Sequence, residues 1–179
     1  MTEKHILSVL VEDHPGVLNR VVSLMRRRSF NIDSITVGHS EQPGVSRITI
    51  VVKGEAYEVE QVGKQLYKLM EVLKVIDLSE TACVAHELAM VKVAAKPATR
   101  QEIMLIAQIY DAKVVDASPT TLMLEASGSE DRINALLAML RPFGIRELVR
   151  TGPVAMVRGA SSASIKGTQV SRGESIAAD

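Results

Sequence analysis

Ile6-Leu-Ser-Val-Leu-Val-Glu-Asp-His-Pro-Gly-Val-Leu18 opens as a short apolar run and breaks at an acidic Pro-Gly turn. Such a run, ended by turn formers, predicts a buried strand over 6–11 leading into a tight loop. From Val17 the apolar residues recur at Leu18, Val21, Val22 and Met25, the spacing of one helical face, with Arg20, Arg26, Arg27 and Arg28 largely elsewhere. A helix over about 16–28 follows.

Outward from there, Phe30 to Val37 and Val45 to Val52 read as strands around the turn Glu41-Gln-Pro-Gly44. Val59, Val62, Leu66, Leu69, Met70 and Leu73 mark a second helix, and Val75 to Leu78 a closing strand. The order β-α-β-β-α-β is the ferredoxin-like arrangement, two helices on one face of a four-stranded antiparallel sheet. It then repeats. Leu88–Val93 is a strand; Ile103, Ile106, Ala107 and Tyr110 define a helix after the Lys96-Pro97-Ala98-Thr99 break. Lys113–Ala117 and Leu122–Ala126 form a central pair, Ile133, Leu136, Leu137 and Leu140 a helix, and Ile145–Arg150 a last strand. The fold class is α+β: a first domain over 4–79, a linker over 80–86 and a second domain over 87–157. Residues 158–179 hold twelve Gly, Ser or Ala and no aromatic, which predicts a flexible tail.

Composition narrows the function. Across 179 residues, 21 Lys and Arg balance 21 Asp and Glu, against a general nucleic-acid binder, whose affinity needs surplus cations. RNA-binding sheets of this topology stack bases on aromatics, and neither Val45–Val52 nor Thr121–Ala126 carries one. A lone Cys83 and four scattered His give neither a disulfide nor metal-ligand spacing, so no metal is expected and Cys83, in the linker, reads as inert. The eight Met read mostly as core filler. No apolar run approaches the roughly 18 residues of a membrane helix, and the start Met-Thr-Glu-Lys-His lacks a signal pattern, which predicts a soluble, cytoplasmic protein.

The loop over 11–18 is the most informative local feature. Asp13 can cap the helix or accept from an ammonium group, Pro15 suits a first turn, and Gly16 admits a ligand to the backbone. Amides of His14 to Leu18, at the positive end of the helix dipole, would attract a small carboxylate. Acid and amides together suit a free α-amino acid; the segment also reads as a capped helix without a ligand. Asn31 could bind the ligand or tie down a loop. His14 has no nucleophile or second acid beside it, so catalysis by it is not expected. Arg26–Arg28 reads as a solvated helix end.

Leu7 to Leu18, Phe30-Asn-Ile-Asp-Ser34, Val45-Ser-Arg-Ile-Thr49 and Lys64-Gln-Leu-Tyr-Lys-Leu69 resemble the N-terminal ACT domain of the small, regulatory subunit of acetolactate synthase. Glu87–Val93, Ala112–Asp116 and Arg141-Pro-Phe-Gly-Ile-Arg-Glu-Leu-Val-Arg-Thr-Gly152 resemble that family's C-terminal domain. The resemblance implies a chain with no catalytic site or cofactor of its own. Its partner would be the large subunit, carrying thiamine diphosphate, Mg2+ and FAD, which it activates and renders sensitive to valine. It also implies a homodimer through paired ACT domains, with valine held by Asp13, His14, Gly16, Val17 and Leu18 of one chain and Asn31 and Ile32 of another. Arg146 and Arg150 are candidates for the activating surface. Ser29 stands where Gly is usual in the family, and a left-handed conformation there would cost about 1 kcal/mol. A stand-alone ACT-type sensor, acting on another enzyme or on transcription, is the alternative; the Arg141–Gly152 run has no obvious purpose in one.

Overall fold

The computed structural model describes residues 3–159, so the tail expected over 158–179 lies, from residue 160 on, outside the described residues. The first unit runs β1 (Glu3–Glu12), α1 (Val17–Arg27), β2 (Ile32–His39), β3 (Val45–Gly54), α2 (Ala56–Leu66) and β4 (Val72–Asp77). The second runs β5 (Cys83–Ala94), α3 (Pro97–Ile109), β6 (Lys113–Ala117), β7 (Thr121–Gly128), α4 (Glu130–Leu140), a 3-10 turn (Arg141–Phe143) and β8 (Ile145–Arg150), followed by β9 (Val154–Val157). Each forms an antiparallel sheet, in the orders β2-β3-β1-β4 and β6-β7-β5-β8, as the ferredoxin-like reading requires.

Period-2 alternation sends Leu7, Val9 and Val11 of β1 and Ile48, Ile50 and Val52 of β3 toward the helices, where they bury against Val21, Met25, Val62 and Leu66. Val91, Val93, Leu122 and Leu124 do the same against Ile103, Ile133 and Leu136 in the second unit. Burying each such side chain is worth about 1.5–3 kcal/mol, so two separate cores sustain two small units.

Four expectations are corrected. The second helix ends at Leu66, not Leu73: Leu69 and Met70 lie in a turn in which Val72 N donates to Leu69 O at 3.1 Å, and Met70 is 93% exposed. Apolar spacing alone could not separate that turn from a helix, because β4 supplies the next apolar residues. Cys83–His86, expected in the linker, are the first part of β5 and pair with β9, a strand that the sequence reading left in the end of the second domain. The Lys96–Thr99 break is the start of α3, with Pro97 in its first turn, where its missing N–H has no helical partner to lose. Of the methionines among the described residues only Met25 is buried; Met70, Met90, Met104, Met139 and Met156 are exposed.

The ribbon of β9 and the first part of β5 lies over the face of the first sheet that points away from the helices. Ser8, Leu10, Thr49 and Val51 on that face are buried, as is Ala155 of the ribbon.

Candidate functional site

The loop at the end of β1 is held at both flanks by backbone bonds, Glu12 N to Glu71 O and Asp13 N to Gly44 O, each 2.9 Å. Gly16 is the N-cap of α1 with φ +93, a left-handed conformation that glycine adopts without strain and that bends the chain into the helix. Among the described residues no side chain caps α1 and its first turn holds no acid, which leaves the N–H groups at the positive end of the dipole without a side-chain acceptor. Asp13 therefore does not cap. Its carboxylate lies 3.1 Å from His39 Nδ1 at the end of β2, a partner no sequence signal announced. His14 lies 3.3 Å from Glu12. Val17 is buried and Leu18 is exposed beside the loop.

Asn31 and Ile32 do not join this group. They stand at the start of β2, beyond the other end of α1, whose 11 residues span about 16 Å. The register agrees: Glu12 pairs with Val45 and His39 with Ser46 at one end of the sheet, and Ile32 with Val52 at the other. Asn31 is exposed and Ile32 half-buried against the core. Ser29, just before them, has φ +59, the left-handed conformation that its place in the sequence made costly. β2 is an edge strand, its outer side unpaired among the described residues.

The two arginines differ. Arg146 is exposed on β8. Arg150 Nη2 and Nε donate to buried Glu87, and Nη1 donates to Asn134 Oδ1 at 2.9 Å; the guanidinium lines a polar cavity of about 420 Å³ between the units, shared with Lys4, Asp33 and Glu130. Here Lys53 and Lys4 beside Asp33 hold its carboxyl below the usual carboxylate range, although partial burial opposes them. Glu130 and Asp33 raise the Lys4 ammonium above its ordinary value. Sequence reasoning missed this joint, because Lys4 and Glu130 are 126 positions apart and no local pattern links them. A second cavity, about 550 Å³ and mostly apolar, opens between the far end of β2 and the ribbon, beside Val37, Arg47, Val84 and Met156. Among the described residues no helix is long and apolar enough to cross a membrane.

Two ferredoxin-like units, the first with a glycine-opened loop at the head of its first helix, are the architecture of an ACT-domain protein. The comparisons with known proteins agree unit by unit: residues 7–74 match the family model described as "AHAS small subunit-like ACT domain", and 86–159 the model described as "Small subunit of acetolactate synthase". The chain belongs to the acetolactate synthase small-subunit family. It is 51% identical over 158 residues to the "Probable acetolactate synthase small subunit" of Methanothermobacter thermautotrophicus, covering 88% of this chain and 94% of that one. It is 46% identical over 157 residues to the "Acetolactate synthase small subunit" of Bacillus subtilis, covering 87% and 91%. The crystal structure of the Thermotoga maritima small subunit superposes with a TM-score of 0.82 at 41% identity, over 89% of this chain and 99% of that one.

Proposed function

We propose that this chain activates the catalytic large subunit of an acetolactate synthase and makes it sensitive to valine. The chemistry, with thiamine diphosphate, Mg2+ and FAD, belongs to that partner. The observation that carries the valine reading is the separation of the site's two halves. Asp13, His14, Gly16, Val17 and Leu18 lie at one end of α1 and Asn31 and Ile32 at the other, so one small ligand cannot touch both within a chain. A second copy docked against the free edge of β2 brings the loop of one chain to the β2 start of its partner. Between them a valine would set its carboxylate on the uncapped amides of α1, its ammonium near Asp13, and its isopropyl group near Ile32.

Calorimetry of the purified chain with valine, together with turnover of the large subunit with and without it, tests the reading. Valine heat, and stimulation that valine reverses, is the expected result. Absence of both overturns it.

A further inference from the structure

β2 begins at the proposed effector residues and, within four positions, grips the second unit. Asp33 is the extra residue of a bulge, since Ile32 pairs with Val52 and Ser34 with Val51. A bulge leaves a residue out of the ladder and re-aims its side chain. The Asp33 carboxylate accepts from Lys53 Nζ at 2.6 Å and lies 3.4 Å from Lys4, whose ammonium also donates to Glu130, the first residue of α4. The next residue, Ser34, packs on Gly152: a Cβ built at Gly152 would fall 2.5 Å from Ser34 Cβ and 2.6 Å from its Oγ. Thr36 Oγ1 then donates to Thr151 O at 3.2 Å. Thr151 is fastened to β5, its N donating to Leu88 O and its Oγ1 accepting from Leu88 N, both at 3.1 Å.

From this geometry we infer that the Ser34–Gly152 contact, backed by Asp33, Lys4 and Glu130, is the joint through which an effector at Asn31 and Ile32 acts on the second unit. Ser34 and Gly152 are positioning residues for regulation. The inference rests on the valine reading above. A close-packed contact has no slack, so a shift of β2 either moves the 151–153 turn or breaks the contact. The turn in turn carries β5 and Arg150.

The test compares valine affinity of the chain by calorimetry with valine inhibition of the reconstituted holoenzyme, for wild type, Gly152→Ala, Ser34→Gly and the double variant. Gly152→Ala is expected to bind valine within about threefold of wild type while the inhibiting concentration rises at least about tenfold, inside the usual range of allosteric couplings. Ser34→Gly in that background removes the colliding Cβ and Oγ, though not the strain of an Ala at φ +75, and recovers at least about threefold of the lost inhibition. Inhibition unchanged in Gly152→Ala, valine binding lost along with inhibition, or failure of the double variant to recover each overturns the inference. Should Gly152→Ala not fold, Asp33→Asn, at the exposed side of the same joint, carries the test: a rise of about twofold or more supports the joint, and no rise overturns it. A wild-type chain that binds no valine refutes the effector reading, and is seen before any variant is read.

Discussion

The two units share one topology and treat the same two places differently. At the head of its first helix the N-terminal unit has Gly16 and open amides. The C-terminal unit has Pro97 in the first turn, and Arg100 Nη2 donates to Ala95 O and Ser118 O. One loop offers donors to an anion; the other has lost a donor and filled its mouth with its own guanidinium. The open sheet faces differ as well. In the first unit the β5–β9 ribbon covers it, whereas in the second Met90, Met123, Lys92, Glu147 and Val149 line a shallow hollow that nothing among the described residues covers. Duplicated topology thus carries an open loop at the head of the first helix once, and repetition of the fold does not mean repetition of a local arrangement.

The largest effect that would sharpen this contrast concerns the buried glutamates. Each unit has one, Glu71 facing Arg20 and Glu87 facing Arg150, but the Arg20 side chain is 62% exposed and that of Arg150 28%. Arg150→Met is expected to cost about 3–5 kcal/mol in urea unfolding, by leaving a buried carboxylate unpaired. Arg20→Met, with water close by, costs about half. Equal costs would break the comparison. Arg146→Met should change stability by less than about 0.5 kcal/mol, so loss of activation with that variant alone would point to a partner contact.

Next in size, Gly16→Asp places a side chain at φ +93 and an anion on the amides. Valine affinity by calorimetry should fall about 100-fold, near 2.7 kcal/mol. Arg100→Met, which opens the loop of the second unit, should leave valine affinity unchanged while lowering stability by about 1 kcal/mol. A second valine site appearing in Arg100→Met would end the distinction between the loops.

The smallest effect is in pH. The folded Asp33 pKa is depressed, so its contribution is present above the ordinary Asp value of about 3.9 and is lost as pH falls through the lower, folded value. The difference in stability between wild type and Asp33→Asn, at most about 0.5 kcal/mol for so exposed a pair, should vanish at low pH. A difference that persists there would assign Asp33 a role other than charge.

The fold was legible because its signals are local. Ile48, Ile50 and Val52 alternate, Val21 and Met25 keep helical spacing, and the β-α-β-β-α-β order recurs. β9 escaped because Val154-Ala-Met-Val157 is too short to announce itself and pairs with Cys83–His86 about 70 positions away. The end of α2 is not legible, since Leu69, Met70 and Leu73 fit a helix as well as a turn and strand. In the site, Gly16 could be read from its turn. The partnership of Asp13 with His39, and the separation of Asn31 from the loop, depend on sheet register, which only the folded chain displays. Gly152 carries no local signal, because nothing beside it in the chain reveals that Ser34 lies against it.

The sharing of β5 between two sheets has a practical consequence. Cys83–His86 belong to the C-terminal part of the chain by continuity, yet with β9 they roof the N-terminal sheet. Cutting the gene after residue 79, where the repeat begins anew, would produce an ACT domain whose Ser8, Leu10, Thr49 and Val51 are stripped of their cover. Such a fragment would be prone to self-association on a surface that the whole chain never shows. Isolating the first unit therefore needs a substitute for that roof, such as polar replacements at Leu10 and Val51.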